Sequence, residues 1–207
     1  VNLIDGLDGL AVGVSSIAAI TMLAVALLTD NMAIAITMAA LTGACIGFMP
    51  YNLNPAKIFM GDTGSTFLGY MLATVSIMGL FKFYAVISFA VPFLILGLPI
   101  FDTANAIIRR LAEGRSPMSP DRGHVHHKLI DMGFNQKQAV AILYAISATL
   151  GLTAVVLTSS GEVKAVVLLA AVLAAILVGA CIIYGAEHWG KHPQEQKKHK
   201  NEAAQEE

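Results

Sequence analysis

Long apolar runs separated by short polar breaks set the pattern of this chain. Leu10–Leu28 and residues 163–184 are apolar on every side, without the 3.6-residue stripe of a soluble amphipathic helix. A helix needs roughly 20 apolar residues to cross a bilayer. Six runs reach or approach that length: Leu10–Leu28, then residues 32–49, 66–80, 84–108, 139–157 and 163–184. The pattern predicts an all-α fold, a polytopic membrane helix bundle of about six transmembrane helices over residues 1–187. A polar, disordered cytoplasmic tail is expected over residues 188–207. Pro50 and Pro55 are expected to end the second span, and Pro92 and Pro99 to bend the fourth, because proline lacks an N–H and crowds the preceding turn. Asp102 falls in the last turns of that fourth span, where an acidic group is expected to face a polar cavity.

Six crossings bring the polar segments around Asp5, Asp62 and His124 to one side, together with the tail. Every Lys and Arg except Lys82 and Lys164 lies on that side, so the excess of positive charge makes it cytoplasmic. With 56% apolar and only 13% charged residues, lipid is the expected solvent, and the lipid bilayer rather than nucleic acid the expected partner. Cys45 and Cys181 sit in apolar runs without a CxxC spacing, which argues against a disulfide framework or a thiolate metal site. Val1 opens the chain inside a polar, motif-like stretch. The chain is therefore expected to be the later part of a longer protein, and its first apolar run, with no charged segment before it, is not a signal peptide.

The polar clusters carry the candidate chemistry. Asn2, Asp5 and Asp8 are three residues apart, with Gly6 and Gly9 between them, and a helical turn would point all three into one pocket. In the break at residues 54–65, Gly61 and Gly64 flank Asp62, while Thr63 and Ser65 add hydroxyls. A simple turn followed by a helix cap uses the same residue types; the shared side of the membrane favours a ligand site. Carboxylates suit Mg2+, which prefers hard oxygen ligands, and Lys57, Arg115 and Arg122 would offset the charge of a diphosphate. His124, His126 and His127 allow a zinc site instead, or a solvated loop. His124 and His127, three apart, are expected to share a helical face, in a short helix over residues 124–132. No HExxH is present, so the usual zinc-protease helix is missing.

Four ordered stretches carry a resemblance: Asn2-Leu3-Ile4-Asp5-Gly6-Leu7-Asp8-Gly9-Leu10, Lys57-Ile58-Phe59-Met60-Gly61-Asp62-Thr63-Gly64-Ser65, Pro99-Ile100-Phe101-Asp102, and Ser119-Pro120-Asp121-Arg122-Gly123-His124-Val125-His126-His127. With these the chain resembles the polyprenyl-phosphate N-acetylhexosamine-1-phosphate transferases, glycosyltransferase family 4. The His-x-His-His form is similar to the undecaprenyl-phosphate GlcNAc-1-phosphate transferase branch. The resemblance implies a Mg2+-dependent phosphoglycosyl transferase, with Mn2+ as a substitute ion. It would move GlcNAc-1-phosphate from UDP-GlcNAc to undecaprenyl phosphate and release UMP, as the first membrane step of a cell-wall polymer such as teichoic acid or O-antigen.

By the same resemblance Asp62 is the metal ligand, and Asp62, Asp5, Asp8 and His127 form the catalytic set. Asn2, with Asp5 and Asp8, would line the nucleotide-sugar pocket, and Phe59 with Gly61 would lie by the uracil. His124, His126 and His127 would hold the diphosphate or sugar, and Ser65, Lys57 and Arg122 would also contact substrate. The resemblance implies a bacterial cell-membrane protein, with a homodimer among the expected assemblies. The family also carries an earlier acidic pair that this chain lacks, so this piece alone is expected to be inactive. The alternatives are a phospho-MurNAc-pentapeptide transferase and, from a different class, a membrane transporter, which would call for inverted repeats that the chain does not show.

Overall fold

The computed structural model describes residues 1–79, 85–116 and 123–159, all within one compact unit, Val1–Gly161. A 3-10 turn at Asn2–Ile4 leads into α1 (Leu10–Leu28), α2 (Met32–Asn52), α3 (Gly61–Gly79), α4 (Ala85–Ile95), α5 (Gly97–Ala112), α6 (Val125–Asp131) and α7 (Gln136–Ser159). The architecture is an all-α membrane helix bundle. By length and composition α1, α2 and α7 can each cross a bilayer. The expected sixth span, the turn at Lys82, Arg122 and the tail lie outside the described residues.

α1 is the hub. Of its apolar window 72% is buried, against 22% for α2 and 33% for α7, so the latter two present much of their surface outward, as lipid-facing helices do. Small side chains explain the central place: Ala11, Gly13, Ser15, Ser16, Ala18 and Ala19 are buried along α1 and let neighbouring helices come close. At Gly13 a Cβ would overlap the Tyr144 ring of α7. The buried hydroxyl of Ser16 donates to Val12 O at 2.8 Å, which satisfies it inside its own helix. Ile4, Leu10, Val14, Leu98, Val140 and Leu143 form one buried cluster, with Leu7, Val125, Leu129 and Tyr144 packed around it. This cluster joins the amino-terminal turn to α1, α5, α6 and α7, and so fixes the polar segments relative to one another.

Several expected boundaries move, each for a local reason. α2 does not stop at Pro50 but continues to Asn52 with the proline inside it. The last turn closes beyond the proline through Leu53 N–H to Met49 O at 2.9 Å, although Pro50 itself has no N–H to donate. α3 starts at Gly61, five residues before the expected 66, with Asp62 in its first turn, where a carboxylate favours the helix dipole. The fourth span, expected to bend at its prolines, divides at Leu96 into α4 and α5. Pro99 then falls in the first turn of α5, where backbone N–H groups have no partner within the helix to lose. α7 opens at Gln136 because Asn135 and Gln138 cap it reciprocally, Gln138 N–H to Asn135 Oδ1 at 2.9 Å and Asn135 N–H to Gln138 Oε1 at 3.0 Å.

Candidate functional site

The 3-10 turn brings Asn2 and Asp5 to one side, and Asp8 follows it in the turn before α1. Ile4 N–H bonds Val1 O at 3.0 Å and Asp5 N–H bonds Asn2 O at 3.1 Å, and a winding of three residues per turn eclipses positions three apart. Asn2 and Asp8 hydrogen-bond to the segment 54–65, and Asp5 lies within electrostatic reach of Asp62. Ser65, fully buried at the start of α3, places its hydroxyl 2.6 Å from Asn2 Oδ1, its shortest contact, and 3.0 Å from Gly61 O. Asp5 feels Asp62: burial holds the Asp5 carboxyl above the usual carboxylate range, and the Asp62 charge adds to that rise. Asp8 braces the loop, its Oδ2 accepting from Asn54 Nδ2 at 3.0 Å and from Ala56 N–H at 3.1 Å. The same Asn54 amide donates to Gln136 Oε1 at 2.9 Å, tying the loop to the first residue of α7.

Asp62, Lys57 and Gly61 are exposed, and Phe59 keeps 75% of its surface open. Gly61 has φ +66°, a left-handed conformation that favours glycine. Beside this loop an apolar cavity of about 260 Å3 opens between α1, α2 and α3, lined among others by Cys45, Phe48, Phe59, Met60, Gly64 and Phe67. Sequence reasoning missed Asn52, whose buried Oδ1 has no partner while its Nδ2 donates to Ile58 O at 2.9 Å. It also missed Tyr144, whose hydroxyl donates to Gly9 O. A lone tyrosine in the apolar stretch Ala139–Ile146 of α7 is the signal that could have drawn notice.

The histidine segment sits against the same turn. Asp102 is buried, and it does face polar groups: Oδ1 accepts from Val125 N–H at 2.8 Å and Oδ2 lies 2.8 Å from His124 Nδ1. The expected shared face of His124 and His127 is not formed. α6 begins only at Val125, and His124 precedes it in an extended conformation, φ −64° and ψ 151°, so helical spacing does not reach it. Instead His124 stacks parallel to His126 at 5.7 Å, and His126 meets His127 at 4.2 Å with a 44° tilt. His126 Nε2 is buried without a partner and abuts Gly6, where a Cβ would overlap it. Burial, reinforced chiefly by His127, lowers the His126 pKa from 6.5 to about 4, which leaves a neutral ring at neutral pH. Among the described residues no three His, Cys, Asp or Glu side chains converge on one point, so neither a zinc cage nor a protein-only magnesium cage is built.

Fold and site together define a helical membrane protein whose acidic turn, glycine-flanked aspartate and histidine segment meet at the ends of apolar helices. Residues 1–80 match the family model described as glycosyl transferase family 4, and the chain belongs to that family. It is 43% identical over 160 residues to the "Probable undecaprenyl-phosphate N-acetylglucosaminyl 1-phosphate transferase" of Bacillus subtilis (strain 168), covering 77% of this chain and 45% of that protein. It is 40% identical over 165 residues to the "Decaprenyl-phosphate N-acetylglucosaminephosphotransferase" of Mycolicibacterium smegmatis, covering 69% and 40%. The "Phospho-N-acetylmuramoyl-pentapeptide-transferase" of Desulforudis audaxviator is 34% identical over 153 residues, covering 72% and 43%. The chain thus spans less than half the length of each of these relatives.

Proposed function

We propose that the full-length protein is a phosphoglycosyl transferase of the cell membrane that moves GlcNAc-1-phosphate from UDP-GlcNAc to undecaprenyl phosphate at the cytoplasmic face, releasing UMP. The observation that carries this reading is the joining of the acidic turn to the start of α3 and its loop, Asn2 to Ser65 and Asp8 to Asn54 and Ala56, which leaves Asp5 within electrostatic reach of Asp62. Burial first, and the Asp62 charge second, raise the Asp5 carboxyl, and a cation placed beside both carboxylates would relieve that. Mg2+ fits that place, because it is commonly held by one or two carboxylates with the rest of its shell from water and substrate phosphate. Asp62 and Asp5 would hold it, and when bound it offsets charge on the phosphoryl oxygens.

The chain's own residues then have separable tasks. Asp8, through Asn54 and Ala56, keeps the 54–60 loop in place, so that exposed Phe59 can offer a ring face to the uracil and Lys57 a cation to the diphosphate. His127 and His124, with the loop residue Arg122, contact the diphosphate or sugar, while the neutral His126 fills the space against Gly6. The attacking group is an oxygen of the lipid phosphate, already ionised at neutral pH. It forms a bond to the sugar-attached phosphorus as the bond to the UMP oxygen breaks, and positioning is the main work left to the protein. The apolar cavity beside Phe59 and Met60 supports an acceptor whose phosphate carries an apolar chain.

The printed names of the Bacillus and Mycolicibacterium relatives support GlcNAc over MurNAc-pentapeptide. UMP release by the full-length protein, measured with undecaprenyl phosphate and each UDP-sugar in turn, tests the reading. UDP-GlcNAc is expected to be consumed in Mg2+ and not in chelator; consumption of UDP-MurNAc-pentapeptide alone, or of neither, would overturn it.

A further inference from the structure

Asp102 stands apart from the carboxylate pair and is only 2% exposed. An acidic side chain in that position is tolerated when both its oxygens have donors, and here they do: Val125 N–H on Oδ1 and His124 on Oδ2, each at 2.8 Å. A carboxylate only accepts, so the hydrogen between Oδ2 and the ring belongs to Nδ1. The tautomer of His124 is thereby set, and Nε2 is the nitrogen left for a ligand. Further along the same helix Arg109 lays its guanidinium over Gly123, where a Cβ would overlap it. α5 therefore grips the segment 123–125 at two points.

We infer that Asp102 is a positioning residue for the transfer step, an inference that rests on the transferase reading above. It orients the His124 ring and compensates the second proton that the ring needs in order to donate from Nε2 to a phosphoryl oxygen of the sugar nucleotide. Charge on that oxygen grows in the transition state, so the contribution falls on turnover rather than on ground-state binding.

The test uses the full-length protein in lipid nanodiscs with 15N-labelled histidine. In the wild type the His124 resonance reports a protonated Nδ1. In Asp102→Asn a single acceptor oxygen cannot serve both Val125 and His124, and the new amide group favours the opposite tautomer. The Nδ1–H preference is lost, kcat falls at least tenfold and the KM for UDP-GlcNAc moves less than threefold. His124→Asn separates positioning from mere packing, because it keeps an N–H donor toward Asp102 but has no Nε2. It is expected to fold like the wild type and to lose kcat to a similar degree. Near-wild-type turnover in either variant, or an unchanged tautomer in Asp102→Asn, overturns the inference. Absence of UMP release from every UDP-sugar by the wild type would instead defeat the transferase reading, while the tautomer comparison still reports on Asp102.

Discussion

Asp5 and Asp102 are side chains of one type in opposite surroundings. Asp5 lies partly buried beside a second carboxylate, and both burial and the Asp62 charge hold its carboxyl above the usual range. Asp102 lies deeper, yet a donor sits on each of its oxygens. The difference shows where a ligand's charge has something to complete. On the proposed reading the acidic turn and the start of α3 take up a cation, whereas at the α5–α6 junction each Asp102 oxygen already has a hydrogen-bond partner within the chain.

Substitutions can break this contrast at either end. The largest effect is expected from Asp62→Asn in the full-length protein, which should lower UMP release by a hundredfold or more while membrane insertion, followed by extraction and fluorescence of a fused reporter, stays normal. Next comes Gly6→Ala, which places a methyl group where His126 Nε2 lies. Overpacking of this kind costs about 1–3 kcal/mol, and turnover should fall about tenfold as the two regions are pushed apart. Because the clash is with one ring, the double variant Gly6→Ala/His126→Ala should be no worse than His126→Ala alone in the same assay.

A smaller effect concerns acid. His126 titrates at about 4 in the folded protein against an ordinary 6.5, so between those values the unfolded chain binds more protons than the folded one. Stability is therefore complete above pH 6.5 and lost progressively as pH falls toward 4. Thermal unfolding midpoints across that window should decline in the wild type and decline less in His126→Gln. The smallest effect is expected for Tyr144→Phe, which removes the hydrogen bond to Gly9 O. About 1 kcal/mol of stability should go, with kcat unchanged.

Much of the fold is legible because lipid-facing and centrally buried helices are apolar all round. α1, α2 and α7 fall where the runs of apolar residues put them. The three-residue spacing of Asn2, Asp5 and Asp8 suggested one helical turn, which forms only over Asn2–Ile4 and leaves Asp8 beyond it; Asp102 was readable as an acid in need of polar company. What composition and period do not carry is the identity of that company. The pairing of Asp102 with His124, the seating of His126 on Gly6 and the bond from Tyr144 to Gly9 all join segments far apart in the chain. Helical spacing failed at His124 for a local reason, since the residue stands one position outside α6. Pro50 misled because a proline near a helix end removes one bond without stopping the last turn.

On the proposed function, Asp5 and Asp62 hold a divalent ion on which the sugar nucleotide's diphosphate rests. Mn2+ substituted into the full-length protein in the presence of UDP-GlcNAc allows the coupling between the metal's electron spin and 31P to be measured directly. The wild type is expected to show a 31P coupling of directly ligated phosphate that disappears in Asp62→Asn. A coupling of equal size in both proteins would contradict that role.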